Sequence, residues 1–245
     1  MKKQHLLCIF LCIVLWSLCA YYTHNDILIP YPSSVLKSTI NILSKLESYI
    51  YIVLTIFRVL KGYLLSLIIA LLLTCITYKS DNIRTFFEPI IILIKTIPNI
   101  SYIILAIIWL GSEESVSAVT FMIVFPILFT SFQNKLDNQK RKLNDVIDIY
   151  PTSFIETVKV IILPELSLEI IQTSITALSM GIKVAVMAEI LAAVRVGVGK
   201  KLNYAKLNLN TTDMLAWTII IILISFLFQF LLNIILKQRL KKEGL

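Results

Sequence analysis

Residues 218–236 read TIIIILISFLFQFLLNIIL, without one charge, proline or glycine. A helix over this run has no polar face to offer water, and its length suits the roughly 20 apolar residues that cross a bilayer. A second run, LLSLIIALLLTCIT at 64–77, has the same character. Stretches of this kind exclude a water-soluble fold around one core. The rest of the composition agrees: 58% of the residues are hydrophobic and 16% are charged. A soluble domain carries about 25% charged residues. The chain is therefore expected to be an all-α integral membrane protein.

Six spans are predicted, at 6–22, 57–78, 86–110, 116–132, 166–192 and 215–236. The first follows MKKQH but has no small-x-small cleavage site after it, so it reads as an uncleaved helix. Between it and the second span, Val35, Ile40, Leu43, Leu46 and Ile50 recur at helical spacing. This predicts an amphipathic segment at 25–56, leading into a membrane core at 57–236 and a basic tail at 237–245. Arg58 and Lys61 are expected to snorkel at the near interface.

Basic residues orient the spans. An inward N-terminus puts Lys2, Lys3, the cluster Lys135, Lys140, Arg141 and Lys142, and the tail Lys237, Arg239, Lys241 and Lys242 in the cytoplasm. The outer side then holds Lys37, Lys45, Arg195, Lys200, Lys201 and Lys206, a smaller set. Both termini are predicted to be cytoplasmic and the protein to be multi-pass in the plasma membrane. The net charge of +8 is accounted for by this topology signal, so no nucleic-acid partner is expected. Cys8, Cys12, Cys19 and Cys75 all fall in apolar runs and read as small packing side chains.

Between the fourth and fifth predicted spans the chain becomes amphipathic. Leu143, Val146, Ile147 and Tyr150 form one apolar stripe that includes Asp145 in its turn, and Pro151 stops it. Ser153 and Glu156 have capping-box spacing, so a second short helix is predicted there. Phe154, Ile155, Val158, Ile161 and Ile162 share its apolar face, and Pro164 after Leu163 is expected to end it. Two readings fit: a handle lying in a groove on a partner protein, or a hairpin on the membrane surface.

No chemistry is written in the chain. GVGKK at 197–201 lacks the first glycine and the Ser or Thr of a nucleotide-binding loop, and no zinc or nucleophile motif occurs. No cofactor, metal or catalytic residue is expected. Intramembrane charge is the remaining functional signal. Lys95, with Pro98 a turn later, is a candidate for lining a pathway, with a snorkelling lysine beside a packing kink as the alternative. Lys183 and Glu189 in the fifth span, six residues apart, lie on different faces and form no obvious pair. Lys183 reads as a pathway residue or as the partner of an acid elsewhere. Glu189 reads as a subunit contact or gate. Glu88 before Pro89 reads as a first-turn acid complementing its helix dipole, and Glu113 and Glu114 as solvated.

The stretch 145–164 resembles the cytoplasmic loop of binding-protein-dependent ABC transporter permeases, E-A-A-x3-G-x9-I-x-L-P. Ile161, Leu163 and Pro164 match its distal half; Asp145 keeps the leading acid in type, and Pro151 replaces the glycine. FRVLKGYLLSLIIALLL, FFEPIIILIKTIPNISYIILAIIWLG and MGIKVAVMAEILAAVRVGVG resemble, in order and spacing, segments of the nitrate, sulfonate and taurine-type permeases. In that resemblance Gly197 and Gly199 stand for a G-L-G that shapes a turn. It implies an importer subunit without enzymatic activity. The partners it implies are a pair of ATPase subunits docked on the loop at 143–164, a second permease copy and an extracytoplasmic substrate-binding protein. The substrates it implies are a small anion such as a sulfonate or nitrate, or a thiamine-precursor pyrimidine. The competing reading is a secondary transporter driven by an ion gradient through Lys95, Lys183 and Glu189. A polytopic membrane enzyme is a third class, for which catalytic groups are missing.

Overall fold

The computed structural model describes residues 3–147 and 153–243. Among them no strand occurs. The elements are α1 (Lys3–Thr23), α2 (Pro32–Leu43), α3 (Leu46–Lys79), α4 (Asp81–Thr96), α5 (Asn99–Ile147), α6 (Phe154–Thr157), a π-turn (Val158–Ile162), α7 (Leu163–Leu191), α8 (Val198–Leu207) and α9 (Thr211–Glu243). The chain is an all-α integral membrane protein. Four helices among the described residues are long and apolar enough to span: Leu46–Lys79, Asn99–Gln139, Phe154–Leu191 and Thr211–Lys241. The apolar part of α1, Phe10–Thr23, is shorter.

Helices α3, α5 and α7 form the centre. Small residues let α3 and α5 touch backbone to backbone: a Cβ on Gly62 would lie 2.5 Å from the Ser117 carbonyl oxygen and 2.7 Å from Thr120 Cβ. Bilayer helices have no hydrophobic drive towards one another, so such close packing is what holds them together. On α7, Gly181 faces Thr120 and Val124 less tightly, since a Cβ there would lie 3.4 Å from each. Val59, Ile103, Val119, Leu128, Phe132, Ala177 and Ala185 fill the space between the three helices. A second cluster, with Val35, Ile52, Val186, Leu202 and Trp217, joins α2, α8 and α9 to one end.

Contacts along the helices define that end. Arg58 meets Glu113 and Glu189, Tyr63 meets Ser174, and Gln133 meets Thr77. So α3 and the second half of α5 run in parallel, with α7 antiparallel to both. The end carrying Arg58 and Glu189 is called the upper end below, and the end carrying Lys79 and Phe154 the lower.

Four sequence expectations change. The second span starts at Leu46, so α3 takes in residues 46–56 that were assigned to the amphipathic segment. The third span is broken: α4 ends at Thr96, Ile97 is extended (φ −66°, ψ 130°), and a new helix begins at Asn99. Pro98 brings no N–H and disfavours helix in the residue before it, which is why the break falls here rather than as a kink. Glu88 therefore lies in the middle of α4, out of the first turn, and its dipole role falls to nothing. A second interruption, at Gly111 (φ 75°, ψ 179°), turns the chain at the upper end before the long descending half of α5.

The fourth change is at Pro164, which does not end a helix. The Leu163 N–H reaches back five residues to the Val158 carbonyl, and the widened turn carries the helix past the proline into α7. Of the short helix predicted at 143–150, residues 143–147 continue α5; the rest, with Pro151, lies outside the described residues.

Candidate functional site

Three groups of polar residues stand out in this apolar bundle. The first is buried at the upper end. Glu189 has no exposed surface and Arg58 is 9% exposed. Arg58 Nη1 donates to Glu189 Oε1 at 2.6 Å and to the Val196 carbonyl at 2.8 Å, while Nη2 pairs with Glu113. Thr55 Oγ1 donates to the Glu189 carboxylate at 2.9 Å, and the Gly199 N–H does so at 2.8 Å. The Val198 N–H donates in turn to Thr55 Oγ1 at 2.9 Å, and the Arg195 N–H to Glu113 Oε1 at 2.9 Å. A buried charge persists when its partners are this complete.

The two glycines have a steric role here. A Cβ on Gly199 would lie 2.4 Å from Glu189 Cβ and 2.9 Å from the Ile190 nitrogen, and one on Gly197 would lie 2.6 Å from Glu189 Oε1. Only glycine lets the chain fold back over the carboxylate. The network ties α3, the top of α5, α7 and the start of α8 together. It corrects three expectations. Arg58 does not snorkel, because two carboxylates hold it inside. Glu113 is not simply solvated, because it caps Arg58 and the 195 backbone. Of the two roles read for Glu189, full burial removes the subunit contact in this conformation and does not touch the gate. Lys61 and Glu114, both exposed, pair at 2.5 Å just outside.

The second group lines the face that α7 leaves open. Gln172, Thr176 and Lys183 are exposed there at near-helical spacing. Lys95, from the last turn of α4, joins Thr130, Asn134, Glu169, Gln172 and Thr176 around a cavity of about 490 Å³ between α4, α5 and α7. Glu169 accepts from Ser131 and, at 3.0 Å, from Thr173. Pro98 makes this cavity accessible to Lys95 by ending α4 at mid-depth. Lys183 opens instead on a cavity of about 380 Å³ between α7 and α9. So Lys95 and Lys183 share one side of α7 but not one cavity, and Glu189 belongs to neither.

The third group is at the lower end. Ser153 and Glu156 form the capping box: Ser153 Oγ accepts from the Glu156 N–H at 3.4 Å, and the Ser153 N–H donates to Glu156 Oε2 at 2.9 Å. The Ser153 hydroxyl, then its backbone amide, holds the Glu156 carboxyl below the usual carboxylate range. Phe154, Ile155, Val160 and Leu163 are exposed, at 40%, 64%, 71% and 45%, while Ile162 is buried. Ile161 is half-buried and Pro164 exposed. Lys79 lies over the Phe154 ring, 5.3 Å from its centroid. Asp145 is in α5, and its side chain is outside the description.

Sequence reasoning missed the Arg58–Glu189 pair because 131 residues separate its members. The available signal was local: Thr55 and Arg58 sit on one face of an apolar helix, and Glu189 is followed by a G-x-G.

A multi-pass membrane protein with polar groups sequestered between its helices is the class that this fold defines. Residues 62–241 match the family model of the binding-protein-dependent transport system inner membrane component, and the chain belongs to that family. No curated protein matches it. Membership makes the chain the permease component of an ABC importer, and the family implies association with an ABC ATPase and a binding protein.

Proposed function

We propose that two copies of this chain form a translocation pathway and that a separate ATPase pair drives it by docking at the lower end, which is cytoplasmic. The observation that carries the reading is the exposed apolar surface of Phe154, Ile155, Val160 and Leu163 on a capped helical segment. Such a surface at a bundle's end is suited to a groove on a soluble partner. It continues through the π-turn into α7 without a flexible joint. Closure of the ATPase pair would draw the two lower ends together and move α7, with Lys95, Gln172 and Thr176 lining the path. The device is a two-state rearrangement of packed helices, and the chain itself supplies no hydrolysis.

The polar face of α7 supports pairing of two copies, because Gln172, Thr176 and Lys183 facing lipid would be costly. A binding protein would deliver the substrate at the upper end. The substrate class is a small anion such as a sulfonate or nitrate, or a thiamine-precursor pyrimidine. The chain, tagged and expressed with its chromosomal neighbours, should copurify an ATPase in detergent. Leu163→Asp should lose it while eluting as the wild-type chain does, since Leu163 is exposed. A chain that emerges with no ATPase would overturn the reading in favour of ion-gradient transport.

A further inference from the structure

Lys183 is a charged group that the bundle leaves uncompensated among the described residues. Arg58, Lys61, Arg84, Lys135 and Lys201 each meet a carboxylate, and Lys95 shares its cavity with Glu169. Lys183 makes no ion pair or hydrogen bond among the described residues, and none of the residues lining its cavity is acidic. It sits eight residues before Leu191, so about 12 Å along the helix from the upper end of α7.

The surrounding groups are donors. Ser225 makes no hydrogen bond among the described residues, leaving its hydroxyl free. Gln229 Nε2 donates one proton to Ser179 Oγ at 2.8 Å, which fixes the amide and leaves its second N–H. Thr218 has turned its own proton back to the Met214 carbonyl at 2.8 Å. Residues bearing an ammonium, a hydroxyl and an amide N–H thus line one cavity that has no acid in its wall. A ligand that complements this set is rich in acceptors and carries negative charge.

We propose that Lys183, with Ser225 and Gln229, binds the oxyanion group of the transported substrate, a small sulfonate, carboxylate or similar oxyanion. The assignment rests on the permease reading and deepens it. The lower cavity has Glu169 in its wall beside Lys95 and so holds the same anion more weakly, which makes the upper cavity the station that selects for charge. A lipid phosphate has the same chemistry, and the test separates the two sources.

The full chain in phosphatidylcholine nanodiscs is titrated with sodium methanesulfonate against sodium chloride at constant ionic strength, with thermal unfolding as the readout. Wild type and Lys183→Arg should be stabilised saturably, and Lys183→Gln should need about tenfold more methanesulfonate or more. Lys206→Gln, on the exposed part of α8, should respond as wild type and controls for surface charge. Equal responses in wild type and Lys183→Gln would overturn the proposal. So would a Lys183-dependent stabilisation that follows added phosphatidylglycerol and not methanesulfonate, which assigns the cavity to a lipid headgroup. ATPase capture is read separately: capture without the anion response sinks the anion station alone, and the anion response without capture supports an anion site at Lys183 while sinking the docking of an ATPase at the lower end.

Discussion

Glu189→Ala is the perturbation whose cost the structure defines best. The substitution removes the carboxylate to which Arg58, Thr55 and the Gly199 N–H all donate, in a place with no exposed surface. Breaking a buried ion pair by removing one partner costs about 3–5 kcal/mol. Arg58 keeps the Val196 carbonyl and Glu113, so the lower end of that range applies, about 3 kcal/mol. That shifts the folded-to-unfolded ratio by roughly two powers of ten. Arg58→Ala should cost about as much, since it leaves the buried Glu189 charge without its cation, with the Thr55 hydroxyl and the Gly199 N–H still donating to it. The double variant should fall short of the sum by about 2 kcal/mol, because the second substitution removes a group whose ion-pair partner is already gone. The assay is unfolding of the purified chain in mixed micelles by SDS titration, followed by circular dichroism. Single costs under about 1 kcal/mol, or additivity within about 0.5 kcal/mol, would refute the reasoning.

Two further outcomes follow from the geometry. Gly62→Leu should separate α3 from α5, since even a Cβ there meets the Ser117 carbonyl at 2.5 Å; the chain should lose thermal stability by more than Gly62→Ala does, and equal values would count against close backbone packing. At the lower end, the Glu156 value is depressed in the folded chain, so the capping box contributes fully above the ordinary carboxylate value and is lost as pH falls through the depressed one. Amide exchange at 154–157, corrected for intrinsic rate, should therefore accelerate in acid, and Glu156→Gln should abolish that pH dependence.

The long apolar runs were legible because a bilayer demands them residue by residue: 64–77 and 218–236 lie inside α3 and α9 as read. The capping box at Ser153 and Glu156 was equally local. What hydropathy could not show was interruption. The stretch 86–110 is apolar throughout, yet Pro98 divides it, and only the packing of α4 against α5 makes the break productive. Pro164 errs in the other direction, for a π-turn absorbs what a proline was expected to end. Arg58 and Glu189 are a matter of distance in sequence: each read alone as an interfacial or gating charge, and their union depends on where α3 and α7 cross. Lys95 and Lys183 were visible as charges in apolar sequence, but their separate cavities were not.

The two ends of α7 differ in how firmly they are held. Above, the Glu189 network ties four elements together; below, beside the buried Ile162 and Leu166, the ion pair that joins α7 to its neighbours is the partly exposed Lys135–Glu165 at 3.0 Å, and α4 is joined to α5 by Arg84–Asp137 at 2.5 Å. Partly exposed pairs of that sort contribute about 1 kcal/mol or less each. On the proposed mechanism the helix would work as a lever with its fulcrum at Glu189 and its handle at Leu163, about 39 Å away along the axis. A swing of roughly 10° would carry the handle about 7 Å while leaving the fulcrum in place. Gln172 and Thr176, at intermediate radius, would travel part of that distance, and Lys183, close to the fulcrum, would hardly move. An anion held at Lys183 would stay still while the passage beneath it opened.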